Sequence, residues 1–222
     1  MNHLEELRHA IACLDPLERQ EEEAHTDCPS PVSEYMTREE FLQFQERSSI
    51  QYEYINGIIR QIIGPSVAHC MVTQNLVGAI RTRLQGRQCK AFSSGIQLDL
   101  ALEDDQVIYR PDLFVVCESE GWCKDYAGTP KLVVEVISPS THYIDKREKL
   151  VNYRRVPSLD EYVVVAQKCV ELTIYRRTED WAPKIVNSLH ASAQLCSLGF
   201  SIPLVEIYEH VFSGRIVSNS KL

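Results

Sequence analysis

The sequence predicts an α/β domain built on a mixed sheet with helices against it. Short β-rich apolar runs recur along the chain: Ala91 to Leu100, Pro111 to Cys117, Leu132 to Ile137, Tyr162 to Val165 and Val170 to Tyr175. Segments with helical spacing separate them, chiefly Gly64 to Leu84 and Asp145 to Arg155. One run, Leu132 to Ile137, is apolar on both alternating faces, as a central strand covered from both sides must be.

Composition agrees with that class. The chain has 222 residues, 44% hydrophobic and 24% charged, which is globular rather than disordered or fibrous. One sizeable domain with an appendage is expected at this length. No apolar run approaches the roughly 20 residues of a membrane-spanning helix. The opening Met1-Asn2-His3-Leu4-Glu5-Glu6 lacks the basic start and apolar run of an export signal, so a cytoplasmic protein without a membrane partner is expected. Its eight cysteines show no Cys-x-x-Cys spacing, and in a long chain without an export signal all eight are expected to be free thiols.

Lys+Arg 23 against Asp+Glu 31 gives −8. Residues 1–33 hold eight acids against Arg8 and Arg19, so that segment carries 2 − 8 = −6 and residues 34–222 only −8 − (−6) = −2. A nearly neutral body with basic clusters can hold a phosphate backbone, and net charge excludes little.

Residues 1–33 read as an acidic extension: Leu4, Leu7, Ile11 and Leu14 share a helical face, and Thr26 to Pro31 is a polar linker. Residues 34–212 form the main domain and 213–222 a tail. Thr37 can cap a helix, with Glu40 as the reciprocal half of a capping box. Asn56-Gly57 between β-rich runs predicts a hairpin. Gly64-Pro65-Ser66 opens a helix to about Leu84, with Val67, Met71, Leu76 and Ile80 as its apolar positions. Ala91 to Leu100 reads as one strand ending at the acidic turn Glu103-Asp104-Asp105. After Leu132 to Ile137, broken by Ser138-Pro139, Asp145 to Arg155 is helical, and Tyr162 to Val165 pairs with Val170 to Tyr175 around Gln167-Lys168.

The chemistry concentrates on Glu135. Inside an apolar central strand its carboxylate loses water and must find a cation or several donors. Taken alone, a structural salt bridge explains it. Asp112, which follows Pro111 at the start of another apolar run, changes the balance, because two carboxylates then converge at a sheet edge if the strands are neighbours. A divalent cation or a lysine must neutralise such a pair, and oxygen ligands suit Mg²⁺ or Mn²⁺ rather than zinc.

These residues, in their order, resemble a known pattern. Pro111-Asp112 followed by Glu135 in a hydrophobic strand is similar to the PD-(D/E)XK nuclease signature. Tyr52-Glu53-x-Ile55-Asn56-Gly57, Pro111-Asp112-Leu113, Val133-Val134-Glu135-Val136-Ile137-Ser138-Pro139-Ser140-Thr141 and Asp145-x-x-x-Lys149-x-x-x-Tyr153 resemble the Uma2 family of endonucleases, over roughly residues 36–210. The resemblance implies a restriction-endonuclease-like mixed sheet flanked by helices and a Mg²⁺- or Mn²⁺-dependent cleavage of DNA. It implies that Asp112, Glu135 and the Val136 carbonyl hold one ion, with Glu53 serving a second. The superfamily lysine normally lies two residues after the acid, where this chain has Ile137; Lys149 on the following helix takes that role, with Lys146 in reserve. His69, Lys146 and Arg147 are expected to contact substrate.

Blander readings stand beside these. Glu53 can be a cross-strand partner of Arg60, His69 a structural helix histidine, and Lys146 and Lys149 a solvated face. Arg81, Arg83, Arg87 and Lys90, with Lys146, Arg147, Arg154 and Arg155, are either backbone contacts or solubilising charge. The same fold also supports a non-catalytic nucleic-acid- or partner-binding protein. A homodimer is expected by analogy with nucleases that cut duplexes in pairs.

Overall fold

A computed structural model describes residues 35–93, 95–100, 102–117, 126–127, 129–137 and 144–212, with backbone alone for 31–32, 126–127 and 144–146. The extension up to residue 30 and the tail 213–222 lie outside the described residues, as do Cys13, Cys28 and Cys123.

Local signals set the first elements. After β1 (Pro31–Val32), Thr37 caps α1 (Arg38–Arg47), with the Glu40 side chain returning the bond to the Thr37 backbone N–H in a complete capping box. β2 (Tyr52–Ile55) and β3 (Ile58–Gln61) form the expected hairpin, with Ile55 opposite Ile58. Asn56 and Gly57 take φ of 49° and 93°, the turn whose twist matches its strands. A Cβ at Gly57 would meet the Tyr35 ring and, at that positive φ, any other residue would be strained.

Ser66 caps α2 (Val67–Arg83) by accepting from the His69 N–H. Leu76 and Ile80 are buried as their spacing requires, but Val67 in the first turn is 77% exposed. The run from Ala91 to Leu100 is not one strand. It divides into β4 (Lys90–Ser93) and β5 (Gln97–Asp99), which join different sheets, with Gly95 between them at φ 111°. The break has a physical cause, because a positive φ suits glycine and interrupts a pleat.

β6 (Val107–Tyr109), which the sequence pattern did not reveal, precedes β7 (Leu113–Val116); β8 (Tyr126–Ala127) and β9 (Leu132–Ile137) follow. Residues 144–149 form a π-helical segment that continues into α3 (Leu150–Arg154). β10 (Glu161–Ala166) and β11 (Leu172–Arg176) make the expected antiparallel pair. β12 (Lys184–Val186), the hairpin of β13 (Ser192–Leu195) and β14 (Phe200–Pro203), and α4 (Leu204–Ile207) complete the described chain.

Two six-stranded sheets result, ordered β1-β3-β2-β6-β5-β8 and β12-β11-β10-β9-β7-β4. In the second, β9 runs parallel to β10 and antiparallel to β7, which makes it mixed. All six residues of β9 are buried. Val134 and Val136 face a cluster shared with Val72, Leu76 and Ile80 of α2, while Val133 and Ile137 face one shared with Tyr109, Tyr153 and Tyr162. By alternation Glu135 falls on the tyrosine side.

The free-thiol reading needs correcting at two positions. Cys89 and Cys117 form a disulfide. β4 and β7 pair antiparallel with Lys90 opposite Val116, so the residues one step outward oppose each other. Cys70, Cys169 and Cys196 are not in a disulfide. Among the described residues no helix is long and apolar enough to cross a membrane.

Candidate active site

Strand pairing brings the two predicted acids together. β7 and β9 hold Leu113 opposite Val134, so the next register step sets Asp112 opposite Glu135. Asp112 follows Pro111, which has no N–H to give a ladder and leaves the strand end open. The Asp112 Oδ2 accepts from the Val136 backbone N–H at 2.7 Å, and its Oδ1 lies 3.1 Å from His69 Nε2. His69 is thus seated on Asp112, brought there by the first turn of α2.

Lys149 supplies the neutralising charge. Its Nζ lies 2.9 Å from Oε1 of Glu135 and 2.9 Å from Oε1 of Glu53. The three residues are 6%, 4% and 5% exposed respectively, so each carboxylate has lost most of its water and relies on that ammonium. Glu53 also accepts from the Arg110 N–H at 3.4 Å, which ties β2 of the first sheet to the approach to Asp112. Arg60 stands opposite Glu53 in register, yet its guanidinium forms a two-pronged bond with Glu148 at 2.9–3.0 Å. Glu53 thus keeps Arg60 as its cross-strand neighbour, whose pKa its charge helps to raise, while its direct ion pair is with Lys149. Burial opposes the charge on Arg60, and the Glu148 contact outweighs it and raises its pKa.

A tyrosine wall closes the buried side. Tyr153, one helical turn beyond Lys149, donates to Glu135 Oε1 at 3.0 Å. Tyr109 accepts from Asn152 at 2.6 Å, donates to Glu148 at 3.3 Å, and carries Lys149 Nζ 5.2 Å from its ring centre. Burial raises the pKa of both phenols well above 10.0; next in importance are the Glu135 charge for Tyr153 and the Glu148 charge for Tyr109. Both remain neutral donors at ordinary pH. This supporting layer was not read from the sequence. Tyr153 had a signal, its i+4 spacing from Lys149. Arg60 had one too, its place across the hairpin from Glu53, but the Arg60–Glu148 pair, Tyr109 and Glu148 had none, since those partners lie 39 to 88 residues away.

The remaining candidates separate. Arg147 is half-buried on the π-helical segment; the Lys146 side chain lies outside the described residues. Of the basic stretches, Arg83 is bound to Glu206, Arg155 to Asp105, and Arg87 to the Leu198 carbonyl, leaving Arg81, Lys90 and Arg154 exposed.

Three carboxylates against one ammonium leave a formal excess of two negative charges around Asp112, Glu135 and Glu53. Among the described residues no group of three or more His, Cys, Asp or Glu converges closely enough for a ready-made cage. The donor set is two opposed carboxylates with strand-edge backbone oxygen, which fits a hard cation that keeps part of its water shell.

Comparison with known proteins adds to this geometry. Residues 38–204 match the family model described as "Uma2: Putative restriction endonuclease". An uncharacterized protein of Synechocystis sp. (strain PCC 6803) is 30% identical over 182 residues, covering 81% of this chain and 95% of that protein. A second uncharacterized protein of the same organism is 31% identical over 152 residues, covering 67% of this chain and 85% of its own length. The crystal structure of "a putative nuclease belonging to DUF820" from Anabaena variabilis superposes with a TM-score of 0.65 at 18% identity, covering 79% of this chain and 99% of that one. At that identity the likeness is one of fold, restriction-endonuclease-like.

Proposed function

This chain belongs to the Uma2 family, and from that membership and the carboxylates at the sheet edge we propose that it is a metal-dependent endonuclease hydrolysing DNA phosphodiester bonds. One observation carries the reading: Lys149 lies 2.9 Å from both Glu53 and Glu135, beside an Asp112 set opposite Glu135 in register. Ionised carboxylates this close need positive charge between them, and a nuclease needs that positive charge for the phosphoryl oxygens.

Asp112, Glu135 and the Val136 carbonyl would hold Mg²⁺ or Mn²⁺, with Glu53 available to a second ion. When bound, the cation supplies a water of lowered pKa and charge stabilisation at the scissile phosphate. Lys149 orients the attacking water and offsets the negative charge that builds on the phosphate. Tyr153 fixes the Glu135 carboxylate by its 3.0 Å bond, and the Tyr109 ring shields Lys149 from solvent. His69 holds Asp112 and, with Lys146 and Arg147, contacts the substrate.

Asp112→Ala tests this directly. Mg²⁺-dependent cleavage of plasmid DNA is expected to fall to background, while Mn²⁺ binding in calorimetry weakens and thermal melting changes little. A second reading has one observation in its favour: Lys149 satisfies Glu53 and Glu135 without a metal, as in a purely structural ion-pair network of a non-catalytic binding protein. That reading predicts no heat of Mn²⁺ binding and no cleavage by the unmutated protein.

A further inference from the structure

A groove of about 520 Å³ runs between α2 and β4, the edge strand of the second sheet among the described residues. One end adjoins the candidate site. Ser93 in its wall stands opposite Leu113, the neighbour of Asp112, and Thr73 lies one turn along α2 from His69. From there the wall continues through Gly78 to Arg81 and Gln85.

Three features suit this groove to a polyanion. No carboxylate lines it among the described residues. In a chain of net charge −8, residues 54–98 contain no aspartate or glutamate but hold Arg60, Arg81, Arg83, Arg87 and Lys90. Arg83 and Arg87 are bound elsewhere, whereas Arg81 is exposed and makes no ion pair among the described residues. Gly78 adds a steric argument. A mid-helix glycine is less favourable than alanine, and here no packing requires it, since nothing lies within 4 Å of a Cβ at that position. Its effect is to keep the groove open.

Dimensions select the occupant. A volume in the range of a small-ligand pocket seats part of an unpaired strand and is too small to enclose a duplex. From His69 to Arg81 the helix rises about 18 Å, so Arg81 stands a few nucleotides along an unpaired strand from the site.

We propose that the groove binds a single DNA strand and leads it away from Asp112 along α2, with Arg81 holding a backbone phosphate a few nucleotides from the site. This rests on the reading of the site as a phosphodiesterase. The groove is then a specificity element, because substrate must offer an unpaired segment on this side.

The test uses the full chain, a fluorescein-labelled single strand of about 12 nucleotides and the matching duplex, with EDTA present and salt varied from about 50 to 200 mM. Gly78→Phe fills the groove and Arg81→Gln removes the charge; neither is in the catalytic machinery. By anisotropy, Gly78→Phe is expected to weaken single-strand binding at least about tenfold, with melting temperature maintained. Arg81→Gln is expected to lower the slope of log affinity against log salt by about 0.7. Unchanged affinity and slope in both variants, with Mg²⁺-dependent cleavage intact, would overturn the groove and leave the hydrolase reading standing. Equal loss on the duplex would overturn the single-strand assignment. Absence of both DNA binding and Mg²⁺-dependent cleavage in the unmutated protein would overturn the reading of the site and the groove with it.

Discussion

Lys149 is the side chain whose removal separates a paired site from an unpaired one. Its ammonium serves Glu53 and Glu135 at once, with all three side chains at 7% exposure or less. Lys149→Met keeps length and apolar contacts but leaves two dehydrated carboxylates with no cation between them. Unfolding in urea should show a loss of about 3–5 kcal/mol, the usual cost of breaking a buried pair by deleting one partner. Adding Glu53→Gln to that variant removes one of the stranded charges and should recover a large part of the loss. A single variant as stable as the unmutated protein would mean that water reaches this trio freely, and the electrostatic account of the site would fail.

At the scale of elements, legibility followed the range of the signal. The capping box at Thr37, the Asn56-Gly57 turn and the doubly buried β9 are written in neighbouring residues, and each formed as its pattern required. The pair Asp112 and Glu135 was legible because both acids sit at marked strand positions. What pairs with Lys149 was not, because Glu53 comes from the other sheet and contact across sheets leaves no local trace. The split of β4 from β5 was missed for a related reason: apolar alternation runs through Gly95, and only the destination of each half distinguishes them. Cys89 and Cys117 were misread because their meeting depends on the β4–β7 register. That disulfide ties an edge strand to the strand leading from Asp112, across a sequence separation of 28 residues. Loop closure of that size contributes about 3–4 kcal/mol. Urea unfolding with and without dithiothreitol should therefore differ by about that amount, and Cys89→Ser should abolish the difference.

Over the whole molecule, the tyrosines set the response to alkaline pH. Burial first, then neighbouring carboxylates, raises the pKa of Tyr109 and Tyr153 well above 10.0; burial also raises those of Tyr175 and Tyr208. In the unfolded chain each phenol ionises near 10.0, while the folded protein keeps it neutral. The stabilisation is fully present below pH 10 and is lost as pH rises toward the folded pKa, because only the unfolded state releases the proton. Tyr109 and Tyr153 should each contribute a fall of about 1.4 kcal/mol per pH unit in that window. On the acid side Glu206 has the opposite sign: its hydrogen bond to Arg83 lowers its pKa, so that contribution is present above 4.5 and disappears as pH drops through the folded value. Urea midpoints measured between about pH 9 and 11 should decline only above 10. Tyr109→Phe/Tyr153→Phe should flatten the decline by about 2.7 kcal/mol per pH unit, two phenols' worth. It should also start from a lower stability at pH 8, since the Glu135 and Glu148 carboxylates each lose a donor. An undiminished slope in that double variant would place the alkaline sensitivity in other groups and refute the tyrosine wall as its source.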